Sequence, residues 1–137
     1  MKTLQMQSCV HENGTVECAL VEITVPEPAE NEILVQIEAA PINPSDLGLM
    51  FGAADLASAR TTERDGQPSL LLDVPPAAMR AMGPRVGHWM PVGNEGSGRV
   101  VAAGNHPDAQ ALLGKRVGMF GGEMYAGYRC VPIDQCM

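Results

Sequence analysis

The stretch Pro91-Val92-Gly93-Asn94-Glu95-Gly96-Ser97-Gly98-Arg99-Val100-Val101-Ala102-Ala103-Gly104 decides how this 137-residue chain reads. It begins like the dinucleotide-binding pattern G-x-G-x-x-G, but Val101 stands at the third glycine position. A strand pattern follows it, Gly98–Ala103, whereas the fingerprint needs a glycine-rich turn that opens a helix. These glycines are therefore read as bends and close backbone approaches within a β structure. No true fingerprint occurs elsewhere in the chain.

Outward from this stretch, strand signals recur. Glu32–Ala40 is the clearest, with Ile33, Val35 and Ile37 on one face. Residues 1–10 and Thr15–Val25 alternate in polarity on either side of Asn13-Gly14, which reads as a two-residue type I′ hairpin turn. Lys115–Phe120 and Tyr125–Pro132 supply two more strands. Pro41-Ile42-Asn43-Pro44 ends the third strand, because prolines cannot continue a ladder. Ser45-Asp46 then caps a short helical turn running to Met50 and closed by Gly52. Residues 53–90 differ in character. Ala54–Thr62 and Pro76–Met82 are expected as helices, separated by a turn at Asp65-Gly66-Gln67-Pro68 and the apolar Leu70-Leu71-Leu72. So many aliphatic residues imply a folded excursion, with Met79, Met82 and Met90 filling gaps in its core. The expected fold class is mainly β: a partly open barrel with short helices and one helical insertion.

Composition agrees with a single domain over 1–137 built of short strands and turns. Gly (15) and Pro (11) are abundant and aromatics are only 4%. A net charge of −7 repels phosphate backbones and anionic membranes, which argues against nucleic-acid or membrane partners. No apolar run reaches the ~18–20 residues that span a bilayer, and the first residues lack a signal-peptide core. The expected location is the cytoplasm. The four cysteines, Cys9, Cys18, Cys130 and Cys136, form no C-x-x-C pair, so a structural zinc site is not indicated. In the type I′ register Cys9 faces Cys18; a disulfide is geometrically allowed, but in a reducing compartment two neighbouring thiols are expected. His11, His88 and His106 are scattered; solvation at His106 and packing at His88-Trp89 are the readings adopted.

Three segments together carry a family resemblance: Ala40-Pro41-Ile42-Asn43-Pro44-Ser45-Asp46, the Pro91–Gly104 stretch, and Leu113-Gly114-Lys115-Arg116-Val117. Tyr125-Ala126-Gly127-Tyr128-Arg129-Cys130-Val131-Pro132 adds weaker support. Their order resembles the amino-terminal, GroES-like domain of medium-chain dehydrogenase/reductases, above all the zinc-independent quinone oxidoreductases and 2-enoyl thioester reductases. The resemblance covers nearly the whole chain apart from 53–90.

The resemblance implies several residue roles. Zinc-dependent relatives place Cys where Asn43 stands and His where Asn94 stands, and a neutral carboxamide is a poor ligand for tetrahedral Zn²⁺. No catalytic zinc is therefore expected. Zinc-free relatives transfer hydride from NADPH to a conjugated carbonyl, and the developing enolate needs a hydrogen-bond donor. The Asn43 amide carries two donors and is the catalytic candidate, orienting substrate or nicotinamide. Pro44 shares the nicotinamide end with it, while Asp46, Asn94 and Glu95 complete the cleft. Asp46 and Ser45 are expected chiefly to fix the loop, and Glu95 to hold the cleft wall. Enoyl thioester reductases carry a proton-donating Tyr shortly after this segment; Phe51-Gly52-Ala53-Ala54-Asp55 has none.

The family pattern continues into a nucleotide-binding Rossmann domain that this chain lacks. The functional expectation is accordingly the amino-terminal domain of an NADP-dependent, zinc-independent oxidoreductase reducing quinones or α,β-unsaturated carbonyls or thioesters. Its expected partners are that Rossmann domain, a small carbonyl or quinone substrate, and a second copy in a homodimer; alone the chain is expected to be inactive. The alternatives are a GroES-like binding or assembly module without activity, and a zinc-type alcohol dehydrogenase with altered ligands.

Overall fold

The computed structural model describes residues 1–137. Its strands are β1 (Lys2–Val10), β2 (Thr15–Thr24), β3 (Glu32–Ala39), β4 (Asp55–Arg64), β5 (Gln67–Asp73), β6 (Met90–Pro91), β7 (Glu95–Ala103), β8 (Arg116–Phe120) and β9 (Tyr128–Pro132). Three short helices, α1 (Pro44–Phe51), α2 (Pro76–Met79) and α3 (Pro107–Gln110), join them, with single 3₁₀ turns at Gly83–Arg85 and Ile133–Gln135. The strands form two sheets, ordered β4-β5-β2-β1-β6 and β8-β7-β3-β9. Neither closes on itself, since each order ends in edge strands. The fold is mainly β, as the sequence implies. No helix is long and apolar enough to cross a membrane.

The chain divides into two compact units whose boundary falls inside β1 and β2. The first comprises Met1–Gln5, Glu22–Pro41 and Gly93–Met137. Its apolar core is formed by Ile33, Val35, Val100, Ala109, Val117, Met119, Met124 and Val131, all buried. Alternation along β3 and β7 produces this arrangement, with Val35 opposite Val100 and the polar pair Gln36 and Arg99 opposite each other. Gly98 serves a close approach. A Cβ there would lie 2.0 Å from the Gln36 carbonyl oxygen, so only glycine lets β3 and β7 meet at this register.

The second unit comprises Met6–Val21 and Ile42–Val92. Its apolar cluster is smaller, formed by Val10, Val16, Val74 and Met82. Two expectations change here. Ala54–Thr62 is not a helix but lies largely in β4, paired antiparallel with β5 from Arg60↔Leu71 to Arg64↔Gln67. The reason is local: Asp65 (φ 50°) and Gly66 (φ 78°) are both left-handed, as a two-residue type I′ turn requires, and they fold the chain straight back. The insertion is thus a hairpin followed by the short α2, not a helix pair.

Asn13-Gly14, by contrast, is not a type I′ turn. Gly14 N–H donates to the His11 carbonyl (3.1 Å) and His11 N–H to that of Thr15 (2.8 Å), which makes a three-residue turn with left-handed Gly14 last. The Asn13 side chain accepts from both N–H and hydroxyl of Thr15 and holds its own backbone out of the left-handed region. The hairpin register moves by one residue, which changes the cysteines' faces. Cys18 Sγ donates to the Met50 carbonyl at 3.1 Å beside Ser8 Oγ, whereas Cys9 lies with His11. Both thiols are free and buried.

Candidate functional site

The loop after β3 places Asn43 at the amino end of α1. Asn43 is the N-cap, with extended backbone (φ −94°, ψ 159°), and Pro44 opens the helix with φ already suited to it. Asp46 stands at the third helical position and closes a capping box. Its Oδ2 accepts the Asn43 N–H at 2.8 Å, while the Asn43 side chain accepts the Asp46 N–H in return. Asp46 is completely buried and Asn43 half-buried, with Pro44 and Ser45 exposed. Ile42 and Leu47, either side of the cap, are exposed apolar residues at 72% and 46%. The helix is thus capped by Asn43 rather than by Ser45-Asp46.

Asn94 and Glu95 belong to the first unit. Gly93 (φ 97°) turns the chain into β7 against the ring of Tyr125, whose hydroxyl donates to the Pro41 carbonyl at 2.8 Å. The half-buried Asn94 accepts the Gly122 N–H through its carbonyl at 3.3 Å. Glu95 is exposed, pairs across the ladder with Phe120, and lines a depression of about 470 Å³ with Ala39, Pro41, Ser97 and Met119. The structure therefore brings Asn43 together with Pro44 and Asp46 in one unit, and Asn94 together with Glu95 in the other.

The donor chemistry does not fit zinc at Asn43. Its carboxamide oxygen is committed to the helix end, and no thiolate or imidazole stands in its place. No three His, Cys, Asp or Glu side chains converge to hold a metal ion. Gly96–Val101 lies within β7, so this run is not a glycine-rich turn that opens a helix.

Sequence reasoning missed a buried polar cluster in the second unit. Glu17 is buried and accepts a two-pronged contact from Arg64 (Nε and Nη2, both 2.8 Å), Ser69 Oγ at 2.6 Å, and a ring nitrogen of His11 at 2.8 Å. The Arg64 hydrogen bonds hold its carboxyl well down, at about 2 against an ordinary 4.5, with smaller help from Ser69 and His11 and against the opposing effect of burial. The Arg64 guanidinium also lies 4.9 Å from the Trp89 ring centre, and His11 meets that ring edge-on. Trp89 thus packs on this cluster, whereas His88 is exposed. The only advance signal was Glu17 itself, an acid on an otherwise apolar strand stretch. His106 turns out to cap α3, its Nδ1 accepting the Asp108 N–H at 3.1 Å. Burial, with Glu32 nearby, pushes the Cys130 thiol up to about 11, and burial likewise raises Cys9 and Cys18.

No protein-family model matches the sequence, and no curated protein matches it. Solved structures do match in fold. A quinone oxidoreductase from Coxiella burnetii superposes with a TM-score of 0.62 at 17% identity, over 100% of this chain and 37% of that one. A protein from Bacillus thuringiensis described as an NADPH:quinone reductase gives 0.65 at 20% identity, over 100% and 33%. The JamJ enoyl reductase gives 0.61 at 16%, over 100% and 35%. This chain has the fold of about one third of these quinone oxidoreductase and enoyl reductase structures, which is the likeness its sequence motifs imply.

Proposed function

We propose that this chain is the substrate-side, amino-terminal domain of a zinc-independent NAD(P)H-dependent oxidoreductase acting on quinones or small α,β-unsaturated carbonyls. The observation that carries the reading is the capping box at Asn43. With its oxygen bound to the Asp46 N–H, the Asn43 carboxamide is held in one orientation, and its nitrogen carries the donors. A group so fixed is suited to donate to an oxygen that gains negative charge, at little reorganisation cost. Ile42 and Leu47, exposed apolar residues on either side of the cap, suit an uncharged substrate ring.

NAD(P)H supplies the hydride, and a separate Rossmann domain binds it. With no Tyr in Phe51–Asp55, and with the Tyr125 hydroxyl turned onto Pro41, solvent delivers the final proton. Quinones, whose reduced form needs no positioned carbon protonation, suit this arrangement best. The assembled enzyme acts as a cytoplasmic homodimer.

The test uses the complete product of the gene, dialysed against a chelator and assayed for NADPH oxidation with 1,4-benzoquinone and 2-cyclohexenone. Metal-independent turnover is expected, together with none from the 137-residue chain alone. Zinc-dependent turnover, or a ring-shaped assembly with no turnover, overturns the reading.

A further inference from the structure

We propose that Arg85, contributed by the 53–90 insertion, is a positioning residue that braces α1 and so fixes the placement of Asn43. A helix leaves its last four carbonyls without internal partners, and α1 has no basic residue in its own last turn. Each of the four finds its partner elsewhere. The Gly48 carbonyl accepts the Gly52 N–H at 2.9 Å and Arg85 Nη1 at 3.2 Å. Leu49 accepts Arg85 Nη2. Met50 accepts Ser8 Oγ at 2.7 Å and Cys18 Sγ at 3.1 Å, and Phe51 accepts the Ala54 N–H at 3.0 Å. The Leu49 carbonyl and the positive charge at the negative end of the helix dipole therefore both depend on a residue 36 positions further along the chain.

Arg85 is itself held. The 3₁₀ turn Gly83–Arg85 leads into Val86, which bridges Val10, and the Gly87 N–H donates to the Val10 carbonyl at 2.9 Å. One turn earlier, buried Met82 sits under Gly52. A Cβ on Gly52 would strike the Met82 methyl at 2.4 Å, and the left-handed backbone there (φ 55°) already favours glycine. The insertion thus wedges between β1 and the carboxyl end of α1. With only eight residues, about 12 Å, α1 moves as a rigid rod. Releasing one end tilts the other, where Asn43 and Asp46 lie. Lysine keeps the charge but not the fork that reaches two carbonyls at once.

That Asn43 meets substrate rests on the function proposed above; the brace does not. The test therefore has two arms. In the ¹⁵N-labelled chain, R85Q is expected to shift the backbone resonances of Asn43 and Asp46 as well as those of 48–52, with R85K intermediate. Shifts confined to 48–52 overturn the brace, and R85K supplies the same reading if R85Q does not fold. In the complete gene product, R85K is expected to lower kcat about tenfold with KM little changed. Moved Asn43 resonances with undiminished turnover would leave the brace standing and overturn the role given to Asn43.

Discussion

The two units solve the same problem with different physics. The first packs β8-β7-β3-β9 over an apolar core with Ile33, Val35, Val100 and Val131 at its centre. The second has a small apolar cluster around Val10 and Val16 and adds a buried carboxylate, Glu17, held by Arg64, Ser69 and His11. Apolar packing is indifferent to pH and intolerant of added volume. A buried ion cluster demands close geometry and depends on protonation. The candidate residues divide along the same line, with Asn43 and Asp46 in the polar unit and Asn94 and Glu95 in the apolar one.

This contrast can be broken in stages. The largest effect is expected from Gly98→Ala in the first unit. Its methyl meets main chain, so β3 must move, and a loss of about 3–4 kcal/mol is predicted in chemical denaturation. Glu17→Gln in the second unit is expected to cost about 2–3 kcal/mol. Removing one partner of a buried pair costs ~3–5, and the half-exposed side chain of Arg64 recovers part of that from water.

Acid sharpens the comparison. The folded pKa of Glu17 lies below its ordinary value, so its contribution is fully present above pH 4.5 and is lost as pH falls towards about 2. Stability measured across that window should fall by about 3 kcal/mol from this group in the wild type and far less in Glu17→Gln. An unchanged acid profile in the variant would show that other carboxylates govern it. The smallest change is expected from His106→Ala, which removes a side-chain cap from a four-residue helix and should cost about 0.5–1 kcal/mol.

The same division decides what the sequence disclosed. The strand around Ile33 was legible because Ile33, Val35 and Ile37 recur on one face, with Val100 opposite Val35. In Ala54–Thr62 the alanines suggested a helix, while the decisive signal lay outside the segment, in Asp65-Gly66. At Asn13-Gly14 a similar dipeptide misled, because the Thr15 hydroxyl and amide captured the Asn13 side chain. Asn-Pro-Ser-Asp announced a capped helical turn after β3, although its cap is Asn43 rather than Ser45-Asp46. The complete burial of Asp46 was not legible, and neither was the Glu17 cluster, whose partners lie up to 52 positions from Glu17 in sequence and meet it only in the fold.

The central claim is that the Asn43 amide donates to the substrate oxygen. Asn43→Ser tests it most directly, because serine caps a helix about as well as asparagine but cannot extend an amide donor. In the complete gene product the account predicts an unchanged melting temperature and a fall in kcat/KM for benzoquinone of about a hundredfold. Turnover by the serine variant equal to that of the wild type would contradict it.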